Sequence, residues 1–317
     1  MNKIKAYLDK ASIAYYSGTP ILTDEVFDCL ADSIAYNVVG AKQHEHLKKH
    51  YRQMFSLQKY YEDEGIKPLK NIKDITVTPK LDGAAISVLY IDGQLSQVLT
   101  RGDGTEGTDI TDKFLTSNII PLNIPDEEGI LQVTGEIVAP SNIPNSRNYA
   151  AGSLNLKDIS EFKTRAIHFY AYGVYPSLRT TFSKDMQALK SLGFNTVYDD
   201  GLSEVYPCDG LVFRVDNNEE FTKLGYTSKH PKGAYALKER AEHVETTLLA
   251  VEWQVGKSGK VTPVALLEPI IIGDALVSRA TLNNGAFIEA LGLMIGDRVA
   301  VIRAGDIIPC ITHKVEA

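Results

Sequence analysis

The stretch that decides the fold is residues 74–107, DITVTPKLDGAAISVLYIDGQLSQVLTRGDGTEG. A short β-type run ends on Lys80-Leu81-Asp82-Gly83, and two strand-like runs follow it on either side of Asp92-Gly93. Asp-Gly between alternating apolar runs is a strong signal for a two-residue hairpin. The sequence therefore predicts a strand that leads, through the turn at KLDG, into a β-hairpin.

Lys80 is the first candidate for chemistry, because it stands at a predicted strand end with a carboxylate two residues on. A lysine amine is nucleophilic only when neutral, so such a residue needs burial or nearby cations that lower its pKa. Asp82 could organise a metal ion, and Gly83 gives the turn room. As an isolated four-residue string the pattern is common, and a solvated surface lysine is the alternative interpretation.

The segment RGDGTEG (101–107) contains G-x-G-x-x-G after a predicted strand, the nominal fingerprint of a dinucleotide site. The context argues against that site, because the strand belongs to a hairpin and no strand-borne acid follows about 20 residues later. We interpret the segment as a Gly-rich turn that could still approach a phosphate or ribose. This motif is the only feature of the sequence that would support a Rossmann dehydrogenase.

A pair of histidines, His46 and His50, has i, i+4 spacing in HEHLKKH (44–50). The order H-E-x-x-H is missing and no third metal ligand is evident. We therefore predict that residues 44–50 prolong a polar helical region and that both rings lie on its solvated face.

The pattern of apolar and turn residues divides the chain into three parts. Residues 1–50 read as helical, and residues 51–240 read as strands and turns with an amphipathic helix at 184–194. Residues 241–317 read as four or five strands with one helical insert, NGAFIEALGL (284–293). Five strands and one helix in so short a segment fit a small barrel of the OB type. The predicted fold class is α+β, with three domains at these boundaries.

The composition excludes several classes of protein. Of 317 residues 44% are hydrophobic and 23% charged, as in soluble globular proteins, and no apolar run approaches the ~18 residues that span a bilayer. The N-terminus lacks the apolar core of a secretory signal. The three cysteines are too few for a disulfide framework or a four-cysteine zinc site, so we expect a reducing, cytoplasmic setting. A net charge of −7 argues against a large nucleic-acid footprint.

The order of the motifs resembles that of the NAD-dependent DNA ligase family. The nucleotidyltransferase series K-x-D-G, R-G-D-G-T-x-G, G-E, Y-G, D-G-x-V and a late lysine appears as Lys80–Gly83, Arg101–Gly107, Gly135-Glu136, Tyr172-Gly173, Asp209–Val212 and Lys238. The string SRNYAAGSL (146–154) is similar to the family's P-R-N-A-A-A-G-S-L. WQVGKSGKVTPVALLEP (253–269) and the barrel strings that follow are similar to its OB module.

This resemblance implies an ATP-grasp-like adenylation core and a ligase that seals nicked duplex DNA with NAD and Mg²⁺. Lys80 would take AMP from NAD, the 5′-phosphate at the nick would accept it, and the 3′-hydroxyl would close the break. The implied catalytic residues are Lys80, Asp82, Glu136 and Lys238, with Asp82 and Glu136 holding Mg²⁺ through water. The implied nucleotide contacts are Ser56, Leu57, Leu81, Arg101, Glu136, Tyr172 (stacked on adenine), Val212, Arg214 and Lys238.

The N-terminal segment points to NAD over ATP. In the family a helical module with a tyrosine pair and P-x-x-x-D-x-x-Y/F-D holds the nicotinamide mononucleotide half. Here Tyr15-Tyr16 and Pro20–Asp28 resemble it, and the residues carried over are Tyr15, Tyr16, Asp24, Phe27 and Asp28. Two departures lie elsewhere, because Thr78 stands where the family has Glu and Arg214 where it has Lys.

Contacts to DNA are assigned to individual cations. The predicted barrel carries six basic and nine acidic residues, so it has no basic patch. The residues assigned to DNA are Arg147, Lys257, Lys260, Arg279 and Arg303. Family members continue past the barrel with zinc, helix-hairpin-helix and BRCT modules, and the chain therefore reads as a compact ligase, a truncated one or a subunit completed by a second chain. The alternatives are an RNA ligase or capping-type nucleotidyltransferase, and a non-catalytic DNA-binding scaffold.

Overall fold

The computed structural model describes residues 2–16, 21–22, 26–27, 30–31, 34, 36, 47–125, 129–238, 243–255, 261–272, 275–304 and 308–315. The chain forms two compact units, Lys42–Arg240 and a second that joins Met1–Ala41 to Ala241–Ala317. Among the described helices, none is long and apolar enough to cross a membrane.

The elements are numbered in chain order. The strands are β1 (Leu47–Lys49), β2 (Gln58–Tyr61), β3 (Ile75–Leu81), β4 (Ala84–Ile91), β5 (Gln94–Thr100), β6 (Glu106–Thr108), β7 (Ile130–Val138), β8 (His168–Tyr175), β9 (Asn195–Thr196), β10 (Cys208–Val215), β11 (Ala234–Lys238), β12 (Val244–Val255), β13 (Val261–Ile272), β14 (Ala275–Thr281), β15 (Arg298–Ala304) and β16 (Ile308–Lys314). The α-helices are α1 (Asn2–Tyr16), α2 (Thr111–Leu115), α3 (Ser146–Asn155), α4 (Ile159–Lys163), α5 (Phe182–Ser191), α6 (Leu202–Val205), α7 (Asn218–Leu224) and α8 (Gly285–Leu291), and Glu62–Glu64 form a 3₁₀ turn. The predicted α+β class is confirmed.

The unit Lys42–Arg240 is built on two main sheets. A four-stranded sheet has the order β2-β11-β10-β3, in which β10 is antiparallel to both neighbours and β2 is parallel to β11. A five-stranded sheet has the order β5-β4-β7-β8-β9, and the short strands β1 and β6 pair separately.

The predicted hairpin joins β4 to β5. Asp92 and Gly93 have φ of 48° and 75°, the left-handed conformations that a type I′ turn requires at both central residues. Alternate side chains of β4, at Ile86, Val88 and Tyr90, are fully buried in the main core of this unit. The prediction from Asp-Gly and alternating apolar residues is confirmed.

Only Asp82 and Gly83 separate the two sheets along the chain, because β3 ends at Leu81 and β4 begins at Ala84. The Asp82 amide donates a hydrogen bond of 2.8 Å to the Pro207 carbonyl. A Cβ on Gly83 would lie 2.1 Å from the Ile137 carbonyl oxygen of β7. The glycine of KLDG is therefore required by the close approach of two backbones, and this approach brings the end of β3 against β7.

In the second unit, β12-β13-β14-β16-β15 close into a five-stranded barrel. Helix α8 lies within the predicted insert, between β14 and β15, and Asn284 caps its N-terminus by accepting a hydrogen bond from the Phe287 amide. The barrel predicted for residues 241–317 is confirmed.

Helix α1 packs against this barrel within the same unit. Leu8 is fully buried in the barrel's cluster, and the rings of Tyr7 and Phe287 lie 5.9 Å apart. The Asn284 side-chain amide donates a 2.8 Å hydrogen bond to the Tyr7 hydroxyl. Leu8 and Ala11 are buried one turn apart on α1, and Tyr7 is buried beside Leu8.

The helix predicted over residues 44–50 is wrong for its described part. Residues 47–49 form β1, with Leu47 opposite Thr108 and Lys49 opposite Glu106. Pairing with a distant segment overrides the local polar helical pattern. His50, predicted to be solvated, is buried, and His46 lies outside the described residues.

Gly83→Ala should destabilise the protein by about 1–3 kcal/mol or more, because its methyl group collides with the β7 backbone. Gly152→Ala is the matched control. Gly152 lies in α3 with no atom near its absent Cβ, so alanine should be neutral or stabilising by about 1 kcal/mol. Urea unfolding of both variants measures the difference, and equal effects would contradict the close-approach explanation.

Candidate active site

The amine of Lys80 belongs to an ion-paired trio at the end of the four-stranded sheet, with Asp209 at its centre. Lys80 Nζ is 2.8 Å from Asp209 Oδ1, and Lys238 Nζ is 2.8 Å from Asp209 Oδ2. Burial raises the pKa of Asp209, but the two ammonium groups outweigh it, and the pKa lies below its usual value. The carboxylate is therefore ionised and holds both lysines with one oxygen each.

A β-bulge places Asp209 in this position. Cys208 pairs with Leu81 and Leu211 with Pro79, so Asp209 and Gly210 together face Lys80. Gly210 has φ 135°, and a Cβ there would lie 2.2 Å from the Leu237 carbonyl oxygen. The Asp-Gly pair noted in the sequence is thus a bulge that turns one carboxylate between the lysines of two neighbouring strands.

Two carboxylates face this trio. They belong to Glu136 of the five-stranded sheet and to Asp82, in the two-residue link between the sheets. Asp82 Oδ1 is 2.8 Å from Arg147 Nη1 on α3, and burial nevertheless raises the pKa of Asp82. Burial raises the pKa of Glu136, on β7, to about 7, while Lys80, Arg101 and Arg147 act to lower it. Two acids held partly desolvated among cations are ready to accept a proton or another cation.

A bulge in the five-stranded sheet presents Tyr172 to the same cluster. Thr134 pairs with Gly173 and Gly135 with Ala171, which leaves Tyr172 without a cross-strand partner. Burial raises the pKa of its hydroxyl, and the Glu136 carboxylate raises it further. Tyr172 is therefore half-buried beside Glu136, with its side chain next to the charged groups.

The Gly-rich segment is a tight turn and not a dinucleotide loop. Asp103 Oδ1 accepts hydrogen bonds of 2.9 Å from the amides of Thr105 and Glu106, and Gly102 and Gly104 have positive φ. The Arg101 amide donates to the Ala85 carbonyl at 3.0 Å, next to the strand pairing of Ala85 with Glu136. The hairpin context correctly predicted that no βαβ unit is present here.

The sequence interpretation assigned no role to Asp209, and it missed His50. Its Nε2 lies 3.0 Å from the Arg101 carbonyl oxygen and its Nδ1 lies 2.7 Å from Ser87 Oγ. A carbonyl only accepts, so Nε2 carries the hydrogen and Nδ1 accepts from the serine. Burial lowers the pKa of His50, which keeps the ring neutral. No local signal indicates this role, because its partners lie far along the chain.

The far end of the four-stranded sheet holds Arg214. Its register partner is Thr76, and Val212 faces Thr78, so these side chains share the sheet face of Lys80. The Arg214 guanidinium carbon lies 4.2 Å from the ring centroids of both Phe182 and Phe221.

Arg214 is only partly satisfied by hydrogen bonds. Its Nη2 donates to Asn218 Oδ1 at 3.2 Å, while its buried Nη1 finds no acceptor in the described part of the chain. Burial lowers the pKa of Arg214 to about 10. A buried donor without a partner is costly and calls for an explanation.

Ser56 and Leu57 precede β2 and lie near this far end of the sheet, since Gln58 pairs with Tyr235 of β11. The Ser56 amide donates to the Lys229 carbonyl, and His230 Nδ1 donates to the Ser56 carbonyl. Leu81 is buried in the core at the end of β3.

The remaining predicted site residues are only partly visible. The side chains of Tyr15 and Tyr16 and the whole of Asp24 and Asp28 lie outside the described residues, whereas Phe27 packs edge-on against Tyr36. Lys257, Lys260 and the side chain of Arg303 also lie outside them. Arg279 pairs with Glu252 at 2.5 Å. Arg147, predicted to contact DNA, lies in the cluster around Asp82.

Two family descriptions match the chain. The NAD-dependent DNA ligase adenylation domain matches residues 43–205, and the NAD-dependent DNA ligase OB-fold domain matches residues 245–317. The first alone covers half of the chain.

Relatives match along almost the whole chain. A DNA ligase of Sulfurovum sp. (strain NBC37-1) is 33% identical over 374 residues, which cover 98% of this chain and 57% of the relative. A DNA ligase of Francisella tularensis subsp. holarctica (strain OSU18) is 32% identical and covered to 55%. The chain thus spans a little over half the length of these relatives. A solved structure titled "DNA binding with a minimal scaffold: Structure-function analysis of Lig E DNA ligases" matches 82% of this chain and 98% of its own, with 16% identity and a TM-score of 0.43.

The buried His50 should make stability depend on pH on the acid side. Because its folded pKa is lowered from an ordinary value of about 6.5, the unfolded chain binds the proton more readily. The free energy of unfolding should therefore fall as the pH drops below about 6.5, and His50→Gln should flatten this dependence. Urea unfolding between pH 5 and 8 measures it, with the exposed His168→Gln as control. An unchanged slope in His50→Gln would show that this histidine is not the group responsible.

Proposed function

The chain belongs to the NAD-dependent DNA ligase family, and from this premise we propose that it transfers AMP from NAD to Lys80 and then to a DNA nick that it seals. The observation that carries the proposal is the trio of Lys80, Asp209 and Lys238 facing the carboxylates of Asp82 and Glu136. An amine, a second cation and two acids within one cluster suit attack on a phosphate whose charge must be balanced.

In the first step the neutral amine of Lys80 attacks the α-phosphorus on the AMP side of NAD. A nitrogen–phosphorus bond forms, the bond to the bridging oxygen breaks, and nicotinamide mononucleotide leaves with the electron pair. The ammonium proton of Lys80 must leave beforehand, and the Asp209 carboxylate, 2.8 Å from the amine, holds the nitrogen in place. Asp209 thereby orients the amine and holds Lys238 beside it.

Lys238 suits the developing charge on the phosphate oxygens. It is more buried than Lys80, with 13% of its side chain exposed against 28%. A buried ammonium stabilises a phosphate more strongly than a solvated one, because the local dielectric is lower. We assign Lys238 to the non-bridging oxygens, with Arg101 on the ribose or phosphate.

The acids of this site suit Mg²⁺ that is bound by few carboxylates and completed by water and substrate phosphates. In the described ranges, no group of three or more His, Cys, Asp or Glu side chains is placed to hold a metal. Mg²⁺ commonly uses one or two carboxylates together with waters and substrate phosphates. Asp82 and Glu136, whose pKa values are raised by burial, are suited to that role. Bound there, the ion would neutralise phosphate charge.

The base of the nucleotide is assigned to the far end of the same sheet face. Tyr172 would stack on adenine, and Val212 would line the opposite side. The Thr78 hydroxyl would meet the base edge, and Arg214 would lie behind it with its guanidinium against Phe182 and Phe221. Ser56, Leu57 and Leu81 complete the nucleotide contacts.

The nicotinamide mononucleotide half is assigned to the N-terminal helical module. Tyr15, Tyr16 and Phe27 would offer aromatic faces to the flat cationic ring, and Asp24 and Asp28 would complement its charge. This assignment rests on the family resemblance of residues 15–28.

Later steps need duplex DNA. We propose that the nick's 5′-phosphate takes AMP from Lys80 and that the 3′-hydroxyl then displaces AMP. The proposed DNA contacts in the barrel are Lys257, Lys260, Arg279 and Arg303. Arg279 would exchange its exposed partner Glu252 for a phosphate, and Arg147 would serve near the reacting phosphate.

Incubation with NAD and Mg²⁺ should add the mass of one AMP to the protein, measured as intact mass. Lys80→Ala should abolish the adduct, because no other amine replaces the nucleophile. Lys223→Ala, which removes a lysine that is 72% exposed, should retain it. An adduct with ATP but not with NAD would contradict the proposed AMP donor, and an adduct in Lys80→Ala would contradict the proposed nucleophile.

The adenylated protein should seal a singly nicked duplex, and sealing at sub-saturating DNA should weaken steeply with salt. With about four phosphate contacts, affinity should fall roughly 100-fold between 50 and 200 mM salt. Gel analysis of a labelled nick measures sealing, and a nick without the 5′-phosphate is the control. Adduct formation without sealing would mean that further protein is needed for the DNA steps.

A further inference from the structure

We propose that His50 is a positioning residue that fixes Arg101 in the adenylation site through the Arg101 main chain. This inference rests on the proposed function of the site. Nothing in the motif series includes His50, and its two ring nitrogens bond to Ser87 and to the Arg101 carbonyl. It acts on the segment that carries Arg101.

The imidazole is bonded in one defined tautomer. Nε2 donates to the Arg101 carbonyl at 3.0 Å, while Nδ1 accepts from Ser87, a buried residue of β4, at 2.7 Å. A buried side chain with both nitrogens satisfied has no freedom to rotate without losing both bonds. The ring therefore ties residue 101 to the centre of the five-stranded sheet.

The main chain around His50 holds the rest of the turn. The His50 amide donates to the Thr105 carbonyl at 3.0 Å, and the Met54 amide donates to the Gly104 carbonyl at 2.8 Å. A Cβ on Gly107 would lie 3.2 Å from His50 Nε2, so the ring lies close to the end of the turn. Residues 47–54 thus form a cradle for residues 101–107.

Arg101 is the only residue of that turn assigned to the nucleotide, and its charge reaches the reaction centre. It acts to lower the pKa values of both Glu136 and Tyr172, so its guanidinium lies near both side chains. Its amide donates to Ala85, two residues from Ser87 on the same strand. Loss of the His50 contact would free the Arg101 carbonyl while the amide stays anchored, and the side chain would rotate away from the site.

The test is a double-mutant cycle on the rate of lysine–AMP formation with NAD and Mg²⁺. His50→Ala should slow adduct formation by roughly 10- to 100-fold, as misplacement of a charge-stabilising group does. His50→Gln, whose amide can replace the Nε2 donor, should restore the rate of adduct formation to within about threefold of the wild type.

The second half of the cycle repeats the substitution in an Arg101→Ala background, where His50→Ala should lower the rate of adduct formation little further. If His50→Ala slows adduct formation by the same factor with and without Arg101, the proposal is overturned. A histidine with a merely structural role would lower the rate independently of Arg101. His168→Ala, an exposed histidine of the same unit, is the control and should leave the rate unchanged.

A second measurement does not depend on activity. In hydrogen exchange, the amides of Gly104, Thr105 and Glu106 should exchange about tenfold faster in His50→Ala and as in the wild type in His50→Gln. Unaltered exchange in His50→Ala would overturn the proposal even if the wild type forms no adduct. A wild type without adduct, combined with faster exchange in His50→Ala, would refute the proposed function and leave the positioning of the turn supported.

Discussion

The bridge from Asp209 to Lys80 and Lys238 is the interaction on which the candidate site depends. Lys80 and Lys238 lie on β3 and β11, the two strands that flank β10, and their ammonium groups would repel each other if the carboxylate were absent. Asp209 reaches both only because the bulge opposite Lys80 adds a residue to β10. The bulge in turn needs Gly210, whose conformation and close approach to Leu237 exclude a side chain. A geometric constraint on one glycine thus sets the charge arrangement around Lys80.

The acids that face this trio show the opposite arrangement, in which carboxylates lie among cations. Asp82 and Glu136 are desolvated enough to raise their pKa values, although Arg147 and Arg101 lie among them. The two-residue crossing at Asp82-Gly83 is what brings the two sheets close enough for these charges to interact. The cations of the trio, which share the fixed partner Asp209, thus face acids that burial makes costly to ionise, and this arrangement suits the anionic substrate and metal ion that we propose.

The parts of the fold that depend on local chemistry could be predicted from the sequence. The Asp92-Gly93 turn and the alternation of β4 and β5 are local signals, and the barrel strands are separated by turn residues. The candidate site residues were predicted from the order of their motifs and not from geometry. The two bulges could not be predicted, because an extra residue is a property of strand register. His50 was missed because its partners, Ser87 and Arg101, are 37 and 51 positions away.

The packing of α1 on the barrel has a consequence for biosynthesis. Leu8 and Tyr7 find their neighbours among residues that follow position 241, at the opposite end of the chain. A helix of 15 residues is marginal in water by itself, and domains fold as units while synthesis proceeds. The unit Lys42–Arg240 has all its partners once residue 240 has emerged from the ribosome. Helix α1 therefore leaves the ribosome well before the barrel strands against which it packs, and it acquires these tertiary contacts only after the unit Lys42–Arg240 has been synthesised.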